Sequence, residues 1–86
     1  VNYTVIIPKT VQKQIDRLAE VERRRVLQRL SQLEINPRPI GCVKLVGYAN
    51  EYRVRIGDHR IRYEIDDEGR IVILLVVKHR RDVYRE

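Results

Sequence analysis

The spacing of apolar residues changes twice along this chain. "NYTVII" alternates and is rich in β-branched residues, so residues 2 to 7 read as a strand, closed by Pro8. The period then becomes helical. Val11, Ile15, Leu18 and Ala19, with Pro8 and Thr10 near the start, predict a short amphipathic helix to about residue 19. In the next helix Val26, Leu27, Leu30 and Leu33, joined by Val21, form the apolar stripe, while Arg23, Arg24, Gln28, Arg29 and Gln32 face solvent. Asn36-Pro37 ends it, because the residue before a proline avoids the helical region; "NPRPIG" is then the connector back to strands.

Beyond that connector everything reads as strand: 42 to 46, 51 to 57, 59 to 66 and 70 to 78, separated by "GYAN", "GD" and "DDEG". Such short turns between β-rich runs signal antiparallel hairpins. "IVILLVV" at 71 to 77 is apolar at both parities, as expected of a central strand partly covered on both faces. Two helices can cover only one face of a sheet. The expected architecture is therefore α+β: two N-terminal helices on one face of a twisted, mainly antiparallel sheet of about five strands, with residues 1–86 forming one domain.

Composition narrows the function classes. At 86 residues the chain is near the lower end of what one hydrophobic core supports unaided. The single cysteine, Cys42, allows no intrachain disulfide and suggests an intracellular protein. No apolar run is long enough to cross a bilayer and the start lacks signal-peptide organisation, so a cytoplasmic location without a membrane partner is expected. Lys and Arg number 18 against 12 Asp and Glu, a net charge of +6 that suits a polyanionic partner such as nucleic acid. Arg outnumbers Lys, which favours phosphate recognition, because a guanidinium can bond two oxygens at once. The absence of Phe and Trp disfavours a single-strand binder built on stacking platforms; only the five tyrosines could stack. One cysteine and two histidines cannot supply the usual zinc set, and no glycine-rich phosphate loop is present; neither a metal nor a small-molecule cofactor is expected.

The densest chemistry lies in "EYRVRIGDHRIRY", residues 51 to 63. If Gly57-Asp58 is a two-residue turn, Ile56 faces His59, Arg55 faces Arg60, Val54 faces Ile61, Arg53 faces Arg62 and Tyr52 faces Tyr63. Two arginine pairs then oppose each other, which is destabilising by roughly 0.2–1 kcal/mol each. That arrangement makes sense where an anion occupies the face. The alternative is that the side chains splay into solvent, with Glu64 or Asp82 neutralising some of them.

The run "PRPIGCVKLVGYANEYRVRIGDHRIRYEI" followed by "VKHRRDVY" resembles the RelE toxins of type II toxin-antitoxin systems, within the RelE/ParE superfamily. The resemblance implies a ribosome-dependent endoribonuclease that enters the aminoacyl-tRNA site, cuts mRNA there with the message's own 2′-hydroxyl as nucleophile, and is held inactive by a cognate antitoxin. Its partners would be ribosomal RNA, mRNA and that antitoxin. Carried over residue by residue, the implied catalytic positions fall on Arg53, Arg55, Arg60, Arg80 and Tyr84. Some relatives have lysines at the positions of Arg53 and Arg55, and the spacing from the late arginine to the tyrosine differs between members.

Elementary chemistry fits those roles. Attack by an internal 2′-oxygen passes through a phosphorane whose extra negative charge fixed cations would stabilise. Arginine does not readily deprotonate, so another group must take the proton. Tyr84 is the family's candidate, and a cluster of cations would favour its phenolate; His59 and His79 are rivals on general acid-base grounds. Arg80 would neutralise the leaving 5′-oxygen, with protonation of that oxygen as the alternative. Arg62 and Lys44 are further RNA contacts or solvated residues. Arg81, taken at the opposite strand parity to Arg80, contacts ribosomal RNA or pairs with Asp82. Arg23 and Arg24, in the triple arginine at 23 to 25, are either a solvated helix face or a grip on ribosomal phosphates. Two other functions share this fold or charge: ParE-type inhibition of DNA gyrase, and non-catalytic nucleic-acid binding.

Overall fold

The computed structural model describes residues 2–83. Strand β1 (Thr4–Ile6) leads through Pro8 into helix α1 (Lys9–Asp16), and helix α2 (Glu20–Leu33) follows after a tight turn. The chain then forms β2 (Val43–Lys44), β3 (Glu51–Ile56), β4 (His59–Asp66), β5 (Ile71–His79) and a last helical turn, α3 (Arg80–Val83). The five strands make one sheet in the order β1-β5-β4-β3-β2, with β1 parallel to β5 and every other pairing antiparallel. This is the expected α+β architecture, with β5 in the interior between β1 and β4.

Each helix is held by a short apolar row. Val11 and Ile15 of α1 are buried one turn apart, and Leu18 packs against the same core although the helix has already ended at Asp16. In α2 the buried row is Val26, Leu30 and Leu33. Leu27 and Val21 do not join it: they are 41% and 60% exposed. At 100° per residue, a helix resting on a flat sheet buries one narrow row, and these two positions lie beside it. Glu20 and Glu22 in the first turn of α2 complement its dipole in place of a side-chain cap.

Below the helices, Tyr52, Val54, Ile56, Ile61, Tyr63, Ile65, Val72, Leu74 and Val77 form the sheet's half of the core. The Tyr52 and Tyr63 rings stack with centroids 6.1 Å apart. Buried Tyr63 donates its hydroxyl hydrogen to the Pro37 carbonyl at 2.8 Å, which ties the helix-to-strand connector to the core. Burial pushes the Tyr63 phenol well above its ordinary value. Arg38 fastens the same connector from outside, with two bonds to Asp67 at 3.0 and 2.8 Å and one to the Tyr52 hydroxyl at 3.1 Å.

Register sets what the other face displays. β3 and β4 pair as the two-residue turn requires: Ile56↔His59, Arg55↔Arg60, Val54↔Ile61, Arg53↔Arg62, Tyr52↔Tyr63. Gly57 takes φ +58° at the first turn position, which a type II′ hairpin requires and glycine adopts readily. Between β4 and β5 the register slips: Arg62 faces Val76 while Tyr63 faces Leu74, so Leu75 is an extra residue. That bulge switches the parity of β5. Val72 and Leu74 point to the helices before it, Val77 after it, and Lys78 is thereby sent to the open face opposite Arg60.

Candidate nucleic-acid interface

The open face of β3, β4 and β5 is the floor of a groove of about 340 Å³, lined by Leu45, Val46, Tyr48, Arg53, Arg60, Arg62, Val76 and Lys78. Its overhanging wall is the loop between β2 and β3. The Leu45 N–H bonds the Glu51 carbonyl at 2.9 Å and the Ile65 N–H bonds the Asn50 carbonyl at 3.0 Å, which close the loop and anchor it to β4. Basic side chains from three neighbouring strands thus share one concave surface with an apolar wall.

Two charges there differ in kind. Among the described residues, Arg53 and Arg60 have no carboxylate partner. Arg62 does: its Nη2 lies 2.6 Å from Glu51 Oε2. Glu51 sits diagonally across the strand pair, within reach of a long side chain, so it rather than Glu64 is the neutralising carboxylate. The hydrogen bond from Arg62 to Glu51 raises the guanidinium's pKa against the opposing effect of burial. Arg62 also lies over the Tyr48 ring, 5.5 Å from its centroid.

The remaining sequence-derived positions separate. Arg55 shares the parity of Arg53 but donates from Nε to the Gly57 carbonyl at 3.0 Å, and it lines a second concavity with Arg25, Gln28, Arg29 and Gln32 between α2 and the end of β3. Lys44 is paired with Tyr52, which gives it the opposite parity to Arg53. Arg24 is bound to Glu20 at 2.6 Å on the exposed side of α2, the solvated reading, and Arg23 is half-buried on the same helix. Arg80 is exposed beside the β3–β4 turn: its N–H donates to the Asp58 carbonyl at 2.7 Å and its Nε is 3.9 Å from Asp58 Oδ1. Strand parity does not apply to Arg81, because β5 ends at His79 and Arg81 belongs to α3. Tyr84 lies outside the described residues.

Both histidines face away from the groove. His59, paired with His79 across β4 and β5, is buried on the helix side, with Nδ1 3.4 Å from Glu22 Oε2 but not aligned for a hydrogen bond. The two imidazoles meet edge to face at 5.2 Å, and His79 Nδ1 accepts the Arg81 N–H at 3.2 Å. Lys78 is the groove cation that sequence reasoning missed, as it missed the apolar wall of Leu45, Val46, Tyr48 and Val76. The signal for Lys78 was a cation at an even position of a strand whose first two even positions, Val72 and Leu74, are core; a bulge resolves that conflict.

Comparison with known proteins agrees with this geometry. The family model described as the ParE toxin of the type II toxin-antitoxin system parDE matches residues 5–84. Toxin RelE3 of Methanocaldococcus jannaschii is 29% identical over 84 residues, covering 93% of both proteins. The archaeal RelE chain solved in the RelE-RelB complex of Pyrococcus horikoshii superposes with a TM-score of 0.84 at 32% identity, covering 93% of this chain and 97% of that one. A chain of the Mycobacterium tuberculosis toxin-antitoxin complex RelBE2 gives 0.80 at 29% identity, covering 92% and 99%. Similarity that extends through the strands, the helix pair and the basic hairpin alike leads to one conclusion: the chain belongs to the ParE toxin family of type II toxin-antitoxin systems, within the RelE/ParE superfamily.

Proposed function

We propose that this toxin is a ribosome-dependent endoribonuclease that cuts mRNA in the aminoacyl-tRNA site through the message's own 2′-hydroxyl, independently of metal. The observation that carries the reading is the groove, which gathers Lys78 with Arg53 and Arg60 from adjacent strands, the two arginines having no carboxylate partner among the described residues. In such a step the 2′-oxygen bonds to phosphorus and loses its proton, the bond from phosphorus to the 5′-oxygen breaks, and the 5′-oxygen takes up a proton from water, so that a 2′,3′-cyclic phosphate and a 5′-hydroxyl result. Negative charge builds on the phosphorane oxygens. Guanidinium groups fixed on paired strands are donors that need little reorganisation as it develops. Arg53 and Arg60 hold the phosphorane, and Arg80, beside the hairpin turn, neutralises the departing 5′-oxygen. The orientation of both histidines away from the groove favours Tyr84 as the group that takes the 2′-proton. Arg55, with Arg25 and Arg29 around the second concavity, and with Arg23, Arg81 and Lys44, would serve ribosomal RNA contacts.

The relatives solved as toxin-antitoxin complexes support a cognate antitoxin partner here as well. A charge of +6 and the exposed Val21, Leu27 and Ile35 suit a partner that presents an amphipathic helix with acidic side chains. The match to the ParE toxin family over residues 5–84 favours a second reading, inhibition of DNA gyrase. Mapping mRNA 5′ ends after brief induction separates the two. The nuclease produces new ends inside reading frames, abolished in an Arg80→Ala, Tyr84→Phe double mutant and suppressed by the antitoxin. Unchanged ends, with loss of supercoiling by purified gyrase, would replace it with the gyrase reading.

A further inference from the structure

The groove carries more than charge. Leu45, Val46, Val76 and Tyr48 give it an apolar side, and two of these stand far out in solvent: Val46 is 97% exposed and Tyr48 52%. A phosphate chain alone has no use for such a wall. A nucleotide does, because each unit pairs an anion with a flat aromatic base.

We propose that Tyr48 is the platform on which one base of the RNA stacks, a base-binding contact held in place by the Glu51–Arg62 pair. The inference rests on the ribonucleotide reading of the groove and names the residue that receives the base. Arg62 is poorly suited to clamp a phosphate: Glu51 already takes its charge at 2.6 Å, and among the described residues its Nε is buried without a hydrogen-bond partner. What it does instead is lie over the Tyr48 ring. That contact fixes one side of the ring and leaves the exposed remainder to a ligand, in the manner of a cation–π support. Closure of the loop by the bond from Leu45 to Glu51 places Tyr48 and the Glu51 side chain on one small rigid unit. The volume of about 340 Å³ is near the lower end of small-ligand sites, which suits one nucleotide unit with its phosphate toward Arg53, Arg60 and Lys78.

The test is binding of a short single-stranded oligoribonucleotide carrying 2-aminopurine, read by fluorescence at several salt concentrations, with wild type, Tyr48→Ala and Tyr48→Phe. Stacking contributes roughly 1–3 kcal/mol per base, so Tyr48→Ala should weaken binding about 5- to 150-fold and abolish the quenching, while Tyr48→Phe stays near wild type. The salt slope should be the same in all three, because the phosphate contacts remain. On programmed ribosomes the same loss should appear in KM more than in kcat. Wild-type affinity in Tyr48→Ala, an equal loss in Tyr48→Phe, or no oligonucleotide binding by the wild type would each overturn the proposal. Tyr48-dependent binding alongside uncut messages would instead leave the platform standing and remove the nuclease.

Discussion

Arg60 and Arg62 are two residues apart on the same strand and the same face, yet their replacement should move stability in opposite directions. Arg60 faces Arg55 and has no carboxylate partner among the described residues. Arg60→Gln removes cross-strand repulsions with Arg55 on one side and Lys78 on the other and should stabilise by about 0.5 kcal/mol or more, given roughly 0.2–1 kcal/mol for each such pair. Arg62 is the counter-ion of a Glu51 side chain that is only 13% exposed. Arg62→Gln forfeits a charge-assisted hydrogen bond, about 1.5–3 kcal/mol, and leaves Glu51 directly opposite Glu64 with nothing between them. A net loss of about 2 kcal/mol is expected, so the two variants should differ by more than 2 kcal/mol.

Urea unfolding at 25 °C reads this directly. With a slope near 1 kcal/mol/M for a chain of this size, the midpoint should rise by about 0.5 M or more in Arg60→Gln and fall by about 2 M in Arg62→Gln. Salt separates the causes further. Raising NaCl from about 0.05 to 0.5 M should erase the Arg60 gain, an effect between exposed charges, and leave most of the Arg62 loss, which comes from a shielded pair. In the cleavage assay Arg60→Gln should be the more stable protein and the poorer nuclease, down about 100-fold or more, the usual cost of removing a transition-state donor. A lowered midpoint in Arg60→Gln, or an unmoved one in Arg62→Gln, would refute the division of the groove into unpaired and paired cations.

Two other outcomes bear on the scaffold. Tyr63→Phe strands the buried Pro37 carbonyl and should cost about 1–2 kcal/mol, read as a lower urea midpoint with an unchanged slope; an effect below about 0.3 kcal/mol would mean that the connector is not held there. Hydrogen bonds from Arg38 and then Tyr3 hold the Asp67 carboxyl down at about 2, against 3.8 ordinarily. A depressed folded-state pKa stabilises fully above about pH 4 and is lost as pH falls through about 2. The stability gap between wild type and Asp67→Asn should therefore close across that window, and a gap constant from pH 5 to 2 would contradict the assignment.

Local periodicity and turn chemistry were enough to read the fold, since they act over a few residues: the helix pair, the strand runs and the full register of the β3–β4 hairpin all follow from them. What escaped was set by longer-range geometry. The bulge that delivers Lys78 to the groove depends on how β5 meets β4, and the Glu51–Arg62 bridge is a diagonal contact, invisible to directly opposed pairing. Leu27 looked like core because a stripe was counted wider than a flat sheet can cover. The histidines looked eligible because residue type was weighed without facing, and register puts both against the helices. These misses share a cause. On a sheet, chemistry belongs to a face, and a one-residue slip exchanges faces for everything beyond it. The same rule explains why a small domain uses a sheet for this purpose. A helix would place like charges around its circumference, whereas three pleated strands set Arg53, Arg60 and Lys78 side by side, rigid and on one surface. The repulsion of such neighbouring cations is a cost to folding that a bound polyanion relieves.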